Sequence, residues 1–164
     1  MNVSWPRALT ISALPVPDGW QAIPLRLIVG YGFFAHGYAK LARGPDHFAG
    51  ILHAMGLPHA ELLSWATVIV EVIGGLMIAF GALVPVVALP MIVVLLVAIL
   101  TVHLSNGFSS IKLLSFDVEG AHFGQPGFET DLLYMACLAS LSITGAGPLS
   151  FDRHMERRRR QRNA

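Results

Sequence analysis

The chain has 164 residues, of which 54% are hydrophobic and 13% charged, and its mean hydropathy is +0.62. Soluble domains carry roughly 25% charged residues, so this composition excludes a soluble globular protein and predicts a single helical membrane domain. The formal charge of +1 hides an uneven distribution, because six arginines fall within positions 153–162.

Two features near the start of the chain and in its last apolar run narrow the options further. Residues 1–22 contain three prolines and no apolar core followed by a small-residue cleavage site, so we expect no cleaved signal peptide. Cys137 is the one cysteine. A single thiol excludes a disulfide framework, an intramolecular thiol relay and a cysteine-rich metal site within one chain.

Four apolar segments have lengths near the roughly 20 residues that cross a bilayer as a helix. They predict an all-α fold, an integral membrane four-helix bundle, with spans at 23–41, 62–83, 86–104 and 131–145. Only Val84 and Pro85 separate the second and third spans, which predicts a tight helical hairpin that Pro85 opens. Pro90 is then expected in about the first turn of that helix, where its missing N–H matters least.

The two longer connections have different patterns. In the first, the apolar residues of segment 46–55 share one helical face, which predicts a short interfacial helix. The second, residues 105–128, is rich in glycine, serine and aromatic residues and predicts a partly folded outer loop that caps one end of the bundle.

The lysines and arginines that flank the spans predict the orientation. Arg7 and the arginine tail lie on one side, whereas the longer loops offer Arg43 and Lys112. By the positive-inside rule both termini are cytoplasmic in a multi-pass protein of the inner membrane. We expect a cytoplasmic segment at 1–22, a transmembrane domain at 23–152 and a basic tail at 153–164. The tail is interpreted as a topology signal attracted to anionic headgroups, not as a nucleic-acid site.

Ionisable residues within the spans need a partner, a neutral state or a water-filled cavity, because each costs roughly 2.5–3.5 kcal/mol in a bilayer. Arg26 and Asp152 carry opposite charges at the same predicted depth near the cytoplasmic end. They predict a structural ion pair that fixes how the first and last spans dock.

A second polar set is expected near the outer face. Glu71 lies in the middle of the second span, followed by two glycines that permit close helix approach. The other members lie near the outer ends of the remaining spans: His36, Lys40, His103, Glu129 and Asp131. No metal site is predicted from them, and haem ligation is disfavoured because His36 lies about a turn deeper than His103.

Two interpretations of this set stay open, and a third is weaker. In the first it surrounds a quinone-like ligand, with Glu71 and His103 as the catalytic residues that move protons. Lys40 would then orient a carbonyl or anion, and His36 and Glu129 would contribute to binding. In the second the polar network only specifies packing, and the protein is a scaffold for a protein partner or a homo-oligomer. A small-solute transporter would require an oligomer, because four spans show no repeat.

Several short motifs in a fixed order give the chain a resemblance to the DoxX family. The first is the segment from Arg26 to Lys40, RLIVGYGFFAHGYAK, followed by Gly56-Leu57-Pro58. Further motifs, read in chain order over about 25–152, are Glu71 with Gly74-Gly75-Leu76 and Gly81, His103, Asn106-Gly107-Phe108, Gly127-Phe128-Glu129, and Gly145-Ala146-Gly147 with Ser150 and Asp152.

The resemblance implies a four-helix membrane bundle. It also implies a redox setting, because the family is similar to the small DoxD-type subunit of thiosulfate:quinone oxidoreductase. Other members are associated with membrane oxidoreductase complexes and with resistance to oxidative or thiol stress. The family pattern falls on Arg26, Lys40, Glu71, Glu129 and Asp152, with His36 and His103 as additional positions.

Overall fold

The structure is a computed structural model that describes residues 17–163. The predicted cytoplasmic segment as far as position 16, with Arg7, lies outside the described residues. Six α-helices follow one another: α1 (Ala22–Arg43), α2 (Pro45–Ala54), α3 (Ala60–Phe80), α4 (Val84–Ala98), α5 (Glu129–Thr144) and α6 (Phe151–Arg162). A π-helical segment (Ile99–His103) and a 3-10 turn (Leu104–Asn106) prolong α4, and strands β1 (Leu113–Asp117) and β2 (Gly120–Phe123) form an antiparallel hairpin.

Each predicted span contains a helix, and α2 occupies the predicted interfacial segment. Three details differ from expectation. The hairpin in the outer loop makes the fold mainly helical, not strictly all-α. The basic tail is helical and begins at Phe151. Pro85 does open α4, but Pro90 lies inside that helix, past its first turn, where it removes a backbone donor.

Two helical stretches of the described chain are long and apolar enough to cross a membrane, Ala60–Phe80 and Val84–Asn106. Their outward-facing apolar side chains are exposed: Leu62, Phe80 and Leu100 are each 69% exposed. Extended apolar helix surfaces of this kind need lipid or another protein to cover them. By contrast α1 carries Arg26 and Lys40 along its length, and α5 has only 16 residues.

The four longest helices pack around one apolar core. α1 packs against α3 over most of its length, α3 packs against α4, α4 against α5, and α5 returns to α1. The core side chains are fully buried and come from all four helices: Val29, Ile78, Met91, Leu138 and Leu141. α2 lies across α3 and α1 at the end we call outer, which also carries the hairpin. The opposite, inner end contains the α3–α4 turn and α6.

Glycine makes the α1–α3 contact unusually close. A Cβ placed on Gly30 would lie 2.6 Å from the Gly75 carbonyl oxygen, and one placed on Gly75 would lie 2.6 Å from the Phe34 amide nitrogen. Nearer the outer end, a Cβ on Gly37 would lie 2.7 Å from Glu71 Cβ. Small residues at such a crossing let two backbones touch, which is how membrane helices gain packing energy.

At the inner end, Asp152 ties α6 to the α3–α4 turn. Its carboxylate accepts hydrogen bonds from the Leu83 amide (2.8 Å) and the Val84 amide (3.2 Å), and its own amide donates to the Gly81 carbonyl (3.0 Å). The first N–H groups of a helix have no intrahelical acceptor and carry partial positive charge. A carboxylate at this position therefore stabilises the start of α4 and fixes α6 beside it.

We expect Gly75→Ala to destabilise the protein by about 2 kcal/mol, because its Cβ would meet backbone atoms of α1 that cannot move independently. Thermal unfolding in detergent would measure the change. Gly50→Ala is the control, since a Cβ there meets nothing within 4 Å and alanine favours a helix by about 1 kcal/mol over glycine. Equal effects of the two substitutions would contradict the close α1–α3 contact.

Candidate functional site

A cavity of about 140 Å³ with both apolar and polar lining residues lies between the outer halves of α1, α3, α4 and α5. Phe33, Val94 and Leu95 form part of its apolar wall. Its polar lining comprises His36, Lys40, Glu71, His103, Thr130, Asp131 and Tyr134. Four of the residues predicted for ligand binding or catalysis, His36, Lys40, Glu71 and His103, therefore lie around one space. Their roles remain predictions.

Lys40 and Glu71 form an ion pair across the α1–α3 contact. Lys40 Nζ lies 2.7 Å from Oε1 and 2.6 Å from Oε2 of Glu71, and only 7% of the glutamate side chain is exposed. The pair depends on the glycine at position 37, which brings the backbone of α1 against Glu71 one turn before Lys40. Both charges are thus partnered where a lone charge would be costly.

The same lysine links the cavity to the surface helix α2. Its ammonium lies 5.1 Å from the centre of the Phe48 ring, a cation–π distance. His36 and Lys40 also line a neighbouring groove of about 240 Å³ with Arg43, His47 and Phe48. Lys40 therefore stands between the inner cavity and a groove open to the outer surface.

His103 is held in a defined orientation at the end of the π-helical segment. Its Nδ1 lies 3.1 Å from the Pro126 carbonyl oxygen, which can only accept, so Nδ1 carries a proton. In a neutral imidazole Nε2 is then the free acceptor. Nε2 lies 3.9 Å from Asp131 Oδ2, too far for a direct hydrogen bond but suited to a bridging water or ligand atom. Single π-helical turns are frequent at functional sites.

Tyr134 lines the cavity where α5 lies against α1. Its ring stacks on Phe33 with centroids 5.8 Å apart, and its hydroxyl lies against Gly32, where any Cβ would collide with it. The hydroxyl makes no hydrogen bond to a described residue. Tyrosine hydroxyls away from water usually find a partner, so this half-buried residue of the cavity lining keeps an unused hydrogen-bonding group.

Glu129 does not line the cavity, which corrects its predicted role in ligand binding. Its carboxylate accepts a hydrogen bond from the Ser110 amide at 2.9 Å and so holds the outer loop to the start of α5. The physical reason is its register on the helix: residues two apart point in nearly opposite directions. Asp131 faces the cavity, and Glu129 therefore turns toward the loop.

The predicted ion pair between Arg26 and Asp152 is not formed. The guanidinium of Arg26, 3% exposed, donates to the carbonyls of Ala146 (2.9 Å) and Leu149 (3.4 Å), while Asp152 is occupied by the amides that begin α4. Both residues do lie at the inner end and hold chain segments together. Backbone groups with no helical partner were closer and better placed than the opposite charge.

The loop histidines are dispersed. His53 and His59 border an open surface groove of about 530 Å³ with Asp46 and Glu61, whereas His122 pairs with Asp117 on the hairpin at 2.9 Å. Within residues 17–163 no three histidine, cysteine, aspartate or glutamate side chains converge as metal ligands do.

Sequence reasoning underestimated Asp131 and Tyr134. From sequence, Asp131 belongs to the outer polar set without an assigned role, and Tyr134 is not among the predicted site residues. A signal was available, because residues three apart share a helix face. An aspartate three residues before a tyrosine in the first turns of a span predicts that both face the bundle interior.

We expect Lys40→Met to destabilise the protein by roughly 3–5 kcal/mol, because it leaves the buried Glu71 carboxylate unpaired. Adding Glu71→Met should restore most of that loss, since the pair is then replaced by apolar groups. Thermal unfolding in detergent measures both. Lys112→Met is the matched control, because Lys112 is exposed and donates only to the Asn106 carbonyl. A single mutant as stable as this control would contradict the buried pair.

Arg26→Lys keeps the positive charge, but a lysine ammonium lacks the planar, forked guanidinium that donates to two carbonyls at once. We expect a loss of about 1–2 kcal/mol in unfolding free energy, the scale of one or two hydrogen bonds. Arg153→Lys, an exposed position at the same end, should change little. If the two substitutions were indistinguishable in the same unfolding assay, the carbonyl contacts would not be stabilising.

Comparisons with known proteins agree with a membrane protein. The DoxX family model matches residues 22–104, just over half of the chain, which covers α1 to the end of the π-helical segment. An uncharacterised membrane protein of Mycobacterium tuberculosis is 28% identical over 159 residues, covering 94% of this chain and 90% of that protein. No solved structure shows significant similarity. The chain belongs to the DoxX family of membrane proteins.

Proposed function

We propose that this protein is the membrane subunit of a redox system, quinone-linked or acting against oxidative or thiol stress, and that it holds a quinone-like ligand in the outer half of its bundle. The observation that carries the proposal is a cavity of ring size whose polar wall keeps unused hydrogen-bonding groups. The likeness to DoxX proteins, which implies membrane redox complexes, supports the same assignment.

The dimensions of the cavity suit one six-membered ring. Its volume is about 140 Å³, and a cavity of roughly 150 Å³ holds benzene in an engineered protein. The stacked rings of Phe33 and Tyr134 offer an aromatic surface on one side. A planar ring with two polar oxygens would match both the apolar wall and the groups that surround it.

The groups open to such a ligand are not the ion pair itself. Lys40 and Glu71 satisfy each other, so the first contacts fall to His103 Nε2 and the Tyr134 hydroxyl. His36 lies at the boundary between the cavity and the outer groove. Lys40, the charge nearest that boundary, would then orient an oxygen of the ligand with its remaining N–H.

Proton movement is the chemistry that these side chains can supply. A quinone takes up two electrons and two protons as it becomes a quinol. The electrons would come from a redox partner, because the described residues contain no paired thiols. His103 can hold a proton at Nε2 and pass it to a ligand in the cavity, while Asp131 stabilises the charged imidazole. Glu71 would share a second proton with Lys40 through their ion pair.

The proposal includes four spans in the inner membrane, formed by α1, α3, α4 and α5 within residues 23–152. The exposed apolar faces of α3 and α4 and the ring of contacts that joins all four helices support it. The arginines of α6 at the inner end favour cytoplasmic termini by the positive-inside rule.

One observation favours the alternative of a non-enzymatic scaffold or assembly partner. The β1–β2 hairpin leaves large apolar side chains uncovered, with Phe116 79% and Val118 fully exposed. Exposed apolar patches often mark protein contacts. In that case the polar cavity would only specify helix packing, and its residues would affect stability without affecting any ligand.

Binding of a short-tailed benzoquinone, decylubiquinone, to the purified protein separates these functions. We expect saturable binding, followed by quenching of intrinsic fluorescence, that His103→Gln and Tyr134→Phe each weaken roughly tenfold, the scale of one hydrogen bond to a ligand. His122→Gln is the matched control, because its partner Asp117 lies on the hairpin away from the cavity.

Unfolding measurements on the same variants complete the design. Weaker binding with unchanged stability supports a ligand site. Two results would contradict the redox assignment: no quinone binding by the wild-type protein, or equal weakening of binding by the hairpin control. Either result would favour the non-enzymatic scaffold.

A further inference from the structure

The terminal helix α6 combines high positive charge with a rigid attachment to the inner end. It carries six arginines in 12 residues, so it is about 18 Å long at 1.5 Å per residue. Ser150 caps it by accepting from the Arg153 amide at 3.2 Å, and Asp152 anchors it to the α3–α4 turn. The helix is therefore a fixed extension of the membrane domain and not a loose tail.

Both acidic residues of α6 already have partners within the protein. Asp152 accepts the amides at the start of α4, and Glu156 forms an ion pair with Arg160 at 2.5 Å. The other five arginines make no ion pair with a described residue. Unneutralised positive charge on a rigid helix requires an anionic surface or counterions from outside the chain.

Apolar and basic residues share one face of this helix. Phe151 and Met155 are 54% and 49% exposed, and Arg158 and Arg162 follow on the same face at helical spacing. Leu83 and Leu149 are also exposed around the base of α6. We define these side chains of α6, Phe151, Met155, Arg158 and Arg162, as the α6 surface.

We infer that the α6 surface binds anionic phospholipid headgroups of the leaflet at the inner end of the bundle. The apolar side chains would enter the boundary of the acyl chains, and the guanidinium groups would pair with phosphates, as amphipathic helices rich in arginine do. Because Asp152 couples α6 to the start of α4, bound lipid would hold the α3–α4 hairpin at a fixed depth.

The position of α6 favours lipid over other polyanions. α6 begins beside the turn where α3 ends and α4 begins, and the neighbouring Phe80 and Leu83 are exposed as lipid-facing residues are. A nucleic acid would have to approach this apolar base, whereas lipid headgroups are already there. An acidic protein would leave Phe151 and Met155 without an evident role, since charge alone would recruit it.

Phosphatidylglycerol titrated into the full-length protein in neutral detergent, with bound lipid counted by native mass spectrometry, tests the inference. Each basic residue near an anionic surface strengthens binding about fivefold. We therefore expect Arg158→Gln/Arg162→Gln to weaken phosphatidylglycerol binding at least tenfold. Arg153→Gln/Arg157→Gln is the control, because it removes the same charge from the opposite face, and it should weaken binding less than fivefold.

A label on Met155→Cys, in a Cys137→Ser background, reports where the helix lies. Its emission should shift to shorter wavelength in vesicles containing phosphatidylglycerol and not in phosphatidylcholine alone. Three results would overturn the inference: equal loss in both double variants, no preference for phosphatidylglycerol over phosphatidylcholine, or displacement of the lipid by soluble glycerol phosphate or by a short DNA duplex. None of these readouts depends on quinone binding, so this inference and the proposed function can fail separately.

Discussion

The close approach of α1 and α3 is the constraint on which the rest of the structure depends. Glycines at positions 30, 37 and 75 bring the two backbones into contact, and only at that separation can Lys40 reach both oxygens of Glu71. In a bilayer there is little hydrophobic drive between helices, so close packing and polar pairs must supply association. Here the same crossing provides both.

That crossing also determines which polar groups of the cavity lining remain without a partner. Once Lys40 and Glu71 neutralise each other, most of the other polar groups in the cavity lining come from α5 and the end of α4: His103, Asp131 and Tyr134. His103 owes its direction to the π-helical end of α4 and to the Pro126 carbonyl. The outer loop is therefore part of the site, because it orients a residue that the helices alone would leave free to rotate.

The two ends of the bundle use charged residues in different ways. At the outer end, charges pair with one another around a cavity. At the inner end, Arg26 and Asp152 each bind backbone groups that a helix terminus or turn leaves without a partner. The first arrangement leaves some groups available to a ligand, whereas the second uses its side chains to join chain segments and to position α6.

Most of the helical architecture could be predicted because apolar length and proline position act locally. The helices at the predicted spans, the helix α2 and the role of Pro85 follow from the lengths and order of apolar runs and from the position of proline. The grouping of His36, Lys40, Glu71 and His103 toward the outer half of the bundle followed as well, because rise per residue converts sequence position into approximate depth.

Depth does not specify the direction in which a side chain points around the helix axis, and only the tertiary structure determined that direction. Glu129 and Asp131 have nearly the same depth, yet one holds the loop and the other faces the cavity. Arg26 and Asp152 lie at one end, yet backbone acceptors and donors separate them. By itself the sequence determined a DoxX-type helical membrane protein with polar residues at two levels. Only packing, through helix rotation and competition for unpaired backbone groups, selected each partner.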